Sequence, residues 1–276
     1  MAEITAKMVA ELRERTNAGL MNCKKALAEA DGDMEKAVDI LRKKGAAAVA
    51  KRAGREAKEG SIVFAATADS KSAVLVEVNC ETPLVPKNDM FQAFCKAMAQ
   101  AYLTAENPDI EAQRQEVVSK IGENIKIGRV VRWTAANGGI INGYIHHDTR
   151  KAVMVEVGAE KAETLARPEL AAVAKELSIH SVAFSPIATR REEVDPEVIK
   201  REEDVAREQM KGKPEKIIEN IVKGKINKFF EGVCLVDQLF YKDQGMSCQA
   251  YADGVAKKLG DKIEIRRFSR MEIGAN

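Results

Sequence analysis

The sequence predicts an α+β chain built from four pieces: a small three-helix unit, two related α+β subdomains, and a helical hairpin inserted into the second subdomain. Three observations carry this reading. Apolar residues recur at helical spacing through roughly the first fifty positions. A strand–strand–helix pattern occurs twice at one constant offset. Two highly charged amphipathic runs, joined by a Gly- and Pro-containing turn, interrupt the second copy.

In the first piece, Ile4, Met8, Val9 and Leu12 fall on one helical face, with Thr5 placed to cap it. Asn17-Ala-Gly19 breaks that helix. Leu20, Met21, Cys23, Ala26 and Leu27 begin a second helix, which ends at Asp31-Gly32. Asp33 caps a third helix carrying Met34, Ala37, Val38 and Leu41, which stops at Gly45 or runs past it. So small a unit buries little apolar surface alone. The basic, Gly-containing stretch Lys51–Lys58 reads as a linker, so residues 1–54 form a first domain with its connection.

The repeat comes next. "SKSAVLVEV" (70–78) lies over "TRKAVMVEV" (149–157), and the same offset pairs Gly60 with Gly139 and Ile62 with Ile141. It also sets Phe91, Phe94 and Met98 against Leu170, Val173 and Leu177. Copy one closes with a strand in "NIKIGRVVRW" (124–133), where Ile125, Ile127, Val131 and Trp133 alternate. Copy two finds its equivalent only at "KIEIRRFSRMEI" (262–273). The expected boundaries are 55–137 for the first subdomain, and 138–186 with 232–276 for the second. The insertion, 187–231, has its first helix start at Asp195-Pro196, a cap followed by Pro at the first helical position. It carries one stripe over Val198, Ile199, Val205, Ala206 and Met210, turns at Lys211–Pro214, and carries a richer stripe from Ile217 to Phe230. The second stripe exceeds what the first covers.

Between strand and helix of copy one lies "NCETPLVPKND" (79–89). Pro83 and Pro86 bracket Leu84 and Val85 and favour a stiff, extended backbone, which neither strand nor helix is expected to cross. Either the two apolar side chains pack on the chain's own core or they are presented to something else.

The chemistry-bearing residues point away from catalysis. No phosphate-cradling Gly-rich motif is present. His146 and His147 are adjacent on an expected strand, where neighbours face opposite ways, and His180 sits late in an apolar helix. Carboxylates alternate with Lys and Arg as on solvated faces. The expectation is no enzyme, no cofactor and no bound metal. A net charge of +2 supplies no field to attract nucleic acid or an anionic membrane, and no apolar run reaches a membrane span. Five scattered cysteines without a C-x-x-C, and an N-terminus lacking a secretory h-region, suggest reduced thiols and a cytoplasmic protein.

"EITAKMVAELRERTNAGLMNCKKALAEADGDMEKAVDILRKKGA" strongly resembles the N-terminal signature of the bacterial elongation factor Ts family. "VEVNCET", "VPKND", "FQAF", "KIGENI" and "GKPEKIIENIVKGKINKFF" resemble further signatures of that family in the same order, across nearly the whole chain. The resemblance implies a guanine-nucleotide exchange factor for the GTPase elongation factor Tu, with a ubiquitin-associated-like N-terminal domain. It also implies a partner grip at Arg13, Leu20, Met21 and Lys24, and a further partner-binding residue at His180. Because consecutive helical residues cannot both face one way, one of Leu20 and Met21 is expected to point outward. Thr82, Pro83, Leu84 and Val85 match the family's Thr-Asp-Phe-Val loop, which intrudes near the GTPase's magnesium. Here the sequence departs: Pro83 replaces the Asp and Leu84 the Phe. Leu84 as a substitute wedge and Leu84 as core both remain open. So does the alternative function, a translation-associated or RNA-associated protein of this fold with weakened or lost exchange. Direct nucleic-acid binding is not expected, and a homodimer or a heterotetramer with the GTPase is left open.

Overall fold

A computed structural model describes residues 4–16, 18–210 and 214–275. Asn17 and the Lys211–Lys213 turn, both expected breaks, lie outside the described residues.

The helices of the first unit are α1 (Ala6–Thr16), α2 (Leu20–Glu29) and α3 (Met34–Ala53). Thr5 Oγ1 accepts from Met8 N at 3.3 Å and Asp33 accepts from Lys36 N at 3.0 Å, so both expected caps form. Val9, Leu12, Cys23, Ala26, Leu27 and Ala37 make the small core between them. The third helix runs well past Gly45, which corrects the linker reading. Lys51–Ala53 is its last turn, Arg52 Nε donates to Gly122 O at 2.9 Å, and Val49 is buried in the core of the next unit.

That next unit holds β1 (Glu59–Ala66), β2 (Ser72–Cys80), α4 (Asp89–Thr104), α5 (Glu111–Ile121) and β3 (Lys126–Thr134). Its sheet is antiparallel in the order β1-β2-β3. The other unit holds β4 (Gly139–Ile145), β5 (Lys151–Ala159), a short α6 (Ala162–Leu165) and α7 (Pro168–Phe184). The inserted pair is α8 (Pro196–Glu208) and α9 (Glu215–Val233), and β6 (Leu239–Phe240), β7 (Asp243–Ser247), α10 (Cys248–Leu259) and β8 (Ile263–Glu272) come after it. Here the sheet order is β4-β5-β8. α5, α6, α10 and the β6–β7 hairpin are additions to the sequence reading.

The repeat holds at the level of elements: β5 begins and ends at the residues equivalent to the two ends of β2. It also governs how the halves meet. Ile62, Ala73 and Leu75 pack in one cluster with their equivalents Ile141, Ala152 and Met154, all fully buried. Ile62 N donates to Thr149 O at 2.7 Å, and in return Ile141 N donates to Ser70 O at 2.8 Å. Ser70 and Thr149, themselves equivalent, are non-glycine residues in the left-handed region, with φ of 57° and 59°. A local two-fold relation therefore joins the halves, as between subunits of a symmetric dimer. Glu77 and Glu156, also equivalent and both buried, each accept from a guanidinium of the paired strand: Arg129 Nε at 2.6 Å and Arg267 Nε at 2.7 Å. Close packing restricts side chains nearby. A Cβ on Gly60, which has φ of 150°, would lie 2.1 Å from Val78 O.

The inserted helices form the expected hairpin. Asp195 accepts from Glu197 N at 2.9 Å, and Arg207 meets Glu215 across the pair at 3.1 Å. The surplus of the second stripe has a destination: Phe229, Phe230 and Val233 pack at the hairpin base with Ala188, Val194 and Cys234.

The two histidines expected to diverge on a strand do not. β4 ends at Ile145, so His146 and His147 fall in the turn beyond it, with ring centroids 4.1 Å apart. Among the described residues no group of three or more His, Cys, Asp or Glu could hold a metal ion, and no helix is long and apolar enough to cross a membrane.

Candidate partner interface

The segment after β2 is anchored at both ends and exposed between them. Cys80 is fully buried, and Cys80 Sγ donates to Thr82 O at 3.3 Å. Val85 is buried among Val78, Phe91 and Phe94 of the sheet–helix core. Contrary to the extended backbone expected there, Val85–Lys87 forms one turn of 3-10 helix with Pro86 near its start, where a missing N–H costs nothing. Lys87 N donates to Leu84 O at 3.1 Å, and Asn88 then caps α4, accepting from Met90 N at 2.9 Å. The turn rotates Leu84 away from Val85, and Leu84 is 73% exposed. Two neighbouring apolar residues thus have opposite environments. Leu84 belongs to no core cluster among the described residues.

On the first unit, Arg13, Leu20, Met21 and Lys24 are all exposed. Arg13 and Leu20 line a shallow open depression with Ala10 and Glu14. One of Leu20 and Met21 is expected to point outward; in the structure both do, at 55% and 60% exposed. They open α2: Met21 lies opposite the buried Cys23, Ala26 and Leu27, whereas Leu20 is on their side of the helix but in its first turn, where it stays exposed.

His180 is placed differently. It is fully buried on α7, and its Nε2 lies 2.9 Å from Gln238 Oε1. The Gln238 amide nitrogen donates to Gly232 O at 2.7 Å and Phe184 O at 3.3 Å, so Gln238 Oε1 must accept. His180 is therefore the Nε2–H tautomer, and burial pushes its pKa down despite the Gln238 hydrogen bond. A neutral ring covered by the chain offers no surface to a partner. Phe184, stacked on it at 4.6 Å, is 46% exposed and does, although no pattern in the sequence singles it out.

All five cysteines are free and buried, and burial pushes the thiols of Cys80 and Cys248 up to about 12 and that of Cys234 to about 11. What these segments present to solvent is apolar: Leu20, Met21 and Leu84. The family model for Elongation factor TS matches residues 81–275. Similar relatives include Elongation factor Ts of Symbiobacterium thermophilum, 43% identical over 99% of this chain and 93% of the relative. Those of Trichlorobacter lovleyi (41%; 98% and 93%) and Chloroherpeton thalassium (38%; 99% of both) are comparable. The chain belongs to the elongation factor Ts family, which acts in the elongation stage of translation.

Proposed function

We propose that this chain is a guanine-nucleotide exchange factor for elongation factor Tu and that it acts by binding alone, without catalytic residues, cofactor or metal of its own. The observation that carries the reading is Leu84, an apolar side chain held out to solvent on a loop anchored at both ends. Family membership supports the choice of GTPase. An exchange factor stabilises the nucleotide-free GTPase, so factor and nucleotide weaken each other's binding by the same factor. A thousandfold faster release corresponds to lowering the barrier by about 4 kcal/mol.

In this reading Thr82–Val85 is the loop inserted beside the GTPase's magnesium, with Leu84 as the wedge. Arg13, Leu20, Met21 and Lys24 grip the partner, and His180 contributes only by supporting Phe184. The working division is 1–54 for the gripping domain, 55–137 and 138–186 with 232–276 for the core, and 187–231 for the hairpin, all in the cytoplasm. A second reading, in which the fold binds the GTPase without exchange, is favoured by Pro83 and Leu84, which stand where the resemblance places the family's Asp and Phe. The test mixes the protein with elongation factor Tu carrying fluorescent GDP and follows release. Exchange activity gives a release rate that rises and saturates with added protein. Complex formation at the spontaneous release rate would establish the second reading.

A further inference from the structure

The loop that carries Leu84 is held by a carboxylate elsewhere in the chain. Between the buried anchors Cys80 and Val85, the loop backbone is gripped by Glu123, in the turn joining α5 to β3. Glu123 Oε2 accepts from Glu81 N at 2.9 Å and Thr82 N at 3.0 Å, and Oε1 accepts from Thr82 Oγ1 at 2.6 Å. Gly122, at φ of 84°, ends α5 in the left-handed conformation and turns the chain so that Glu123 can reach back. The turn is itself held: Arg52 Nε donates to Gly122 O, and Asn124 N donates to Glu81 Oε1 at 2.6 Å.

The other half of the molecule carries the same device. Gly260 ends α10 at φ of 61°, and Asp261 Oδ2 accepts from Lys161 N at 3.1 Å. Lys161 is the repeat equivalent of Thr82. Gly260-Asp261 are set off from Gly122-Glu123 by the interval that takes Val130 of β3 to Phe268 of β8, the strand partners of the equivalent Val76 and Val155. Each half thus clamps the first turn beyond its middle strand with a carboxylate. What the clamp presents differs. The second loop carries Ala162 and Glu163 where the first carries Pro83 and Leu84, so only the first offers an apolar tip to solvent.

We propose that Glu123 is a positioning residue for exchange: it holds the Glu81–Thr82 backbone so that Leu84 meets the GTPase already ordered. The proposal rests on the reading of Leu84 as the wedge. Bound in place beforehand, the loop loses little freedom on association, so the clamp acts on the assisted step. Its removal frees two N–H groups near the surface that water can satisfy, and the fold is little affected.

The experiment uses the full chain and elongation factor Tu loaded with fluorescent GDP. It compares Glu123→Ala, Glu123→Gln, Leu84→Ala, the Glu123→Ala/Leu84→Ala pair and Asp261→Ala. For each, the maximal assisted release rate, the half-saturating concentration and hydrogen exchange at the Glu81 and Thr82 amides are measured. Glu123→Ala should lower the maximal rate by roughly fivefold to tenfold, leave half-saturation nearly unchanged and speed exchange at both amides. Glu123→Gln, which keeps one acceptor oxygen, should fall between it and the parent, and it carries the test if Glu123→Ala does not fold. In the Leu84→Ala background the Glu123 substitution should add little, because the clamp then positions nothing. Asp261→Ala should release GDP at the parental rate. A parental rate for both Glu123 variants beside a slow Leu84→Ala overturns the inference and leaves the wedge reading standing. So does a Glu123→Ala loss that is undiminished in the Leu84→Ala background or matched by Asp261→Ala, since that is a structural effect. A parental rate for Leu84→Ala removes the wedge reading and the role of Glu123 with it.

Discussion

Leu84 and Val85 are neighbours in the chain and should respond to truncation in opposite ways. Leu84 is exposed, so Leu84→Ala should leave the melting temperature nearly unchanged. Burial of a Leu against a partner contributes about 1.5–3 kcal/mol, so assisted GDP release should slow by roughly tenfold or more. Val85 sits in the core, so Val85→Ala should lower unfolding stability by about 1–3 kcal/mol, measured by urea denaturation. If Leu84→Ala instead destabilises the free chain as a core truncation does, the side chain is structural. His180 has a titration signature. Its pKa is lowered mainly by burial, so below the ordinary imidazole value, about 6.5, the unfolded chain takes up a proton that the native ring resists. The stabilisation is complete above that value and is lost as pH falls from it towards the depressed native pKa. Between pH 7.5 and 5.5 the parent should therefore lose more stability than His180→Asn, by denaturant midpoints at each pH. Equal losses would mean that His180 does not titrate differently on folding.

At the scale of elements, the hairpin and the first unit can be removed at points the structure supplies. Deleting 195–228 with a short Gly bridge keeps Phe229, Phe230 and Val233 on the Ala188–Val194–Cys234 cluster. The remainder should melt cooperatively within a few degrees of the parent; failure to fold would make the hairpin part of the core. For the first unit the cut must fall before Gly45, because Val49 and Arg52 belong structurally to the β1-β2-β3 unit. Removing 1–44 should raise the half-saturating concentration for exchange by roughly tenfold or more, about 1.4 kcal/mol or above, while the maximal rate holds. A lost maximal rate at unchanged affinity would reverse that assignment. The elements most legible in the sequence are those with strong periodicity or a side-chain cap: the β-strands of the repeat, α4, α7, and the helices begun by Thr5, Asp33 and Asp195. α5 escapes such a reading because Ile110 opens it without a side-chain cap and its buried residues are only Val117 and Val118. α10 escapes it although Ser247 caps it, accepting from Ala250 N at 3.1 Å, because its buried stripe is only the small residues Cys248, Ala252 and Ala256. For Leu84 the pattern leaves an outward-facing wedge and a core residue both open, and the 3-10 turn that exposes it is not legible, since the two prolines argue for an extended loop.

Across the whole molecule, the two sheet units share the Ile62–Ala73–Leu75 and Ile141–Ala152–Met154 cluster, so neither should unfold independently. Leu75→Ala and Met154→Ala should each cost about 2–5 kcal/mol and lower a single transition that both halves share. Two resolved transitions in calorimetry, only one of them moved, would show that the interface does not couple the halves. The carboxylate clamp belongs to this scale too. It is hidden in the sequence because the inserted hairpin lengthens the offset between the two copies, so the Glu123–Asp261 correspondence appears only when β3 and β8 are matched.

The reciprocal hydrogen bonds through Ser70 and Thr149 have a consequence for how the chain can change. Were the halves separate copies of one polypeptide, any substitution in the loop after the middle strand would appear at both ends of the assembly. An apolar tip suited to one partner would then be duplicated on the opposite side as an exposed sticky point. Joined in one chain, the halves keep the mutual packing of a pair at high effective concentration, while each loop mutates alone. One end is free to carry Leu84 and the other to keep Glu163, so the molecule has a direction that a paired assembly of identical units could not possess.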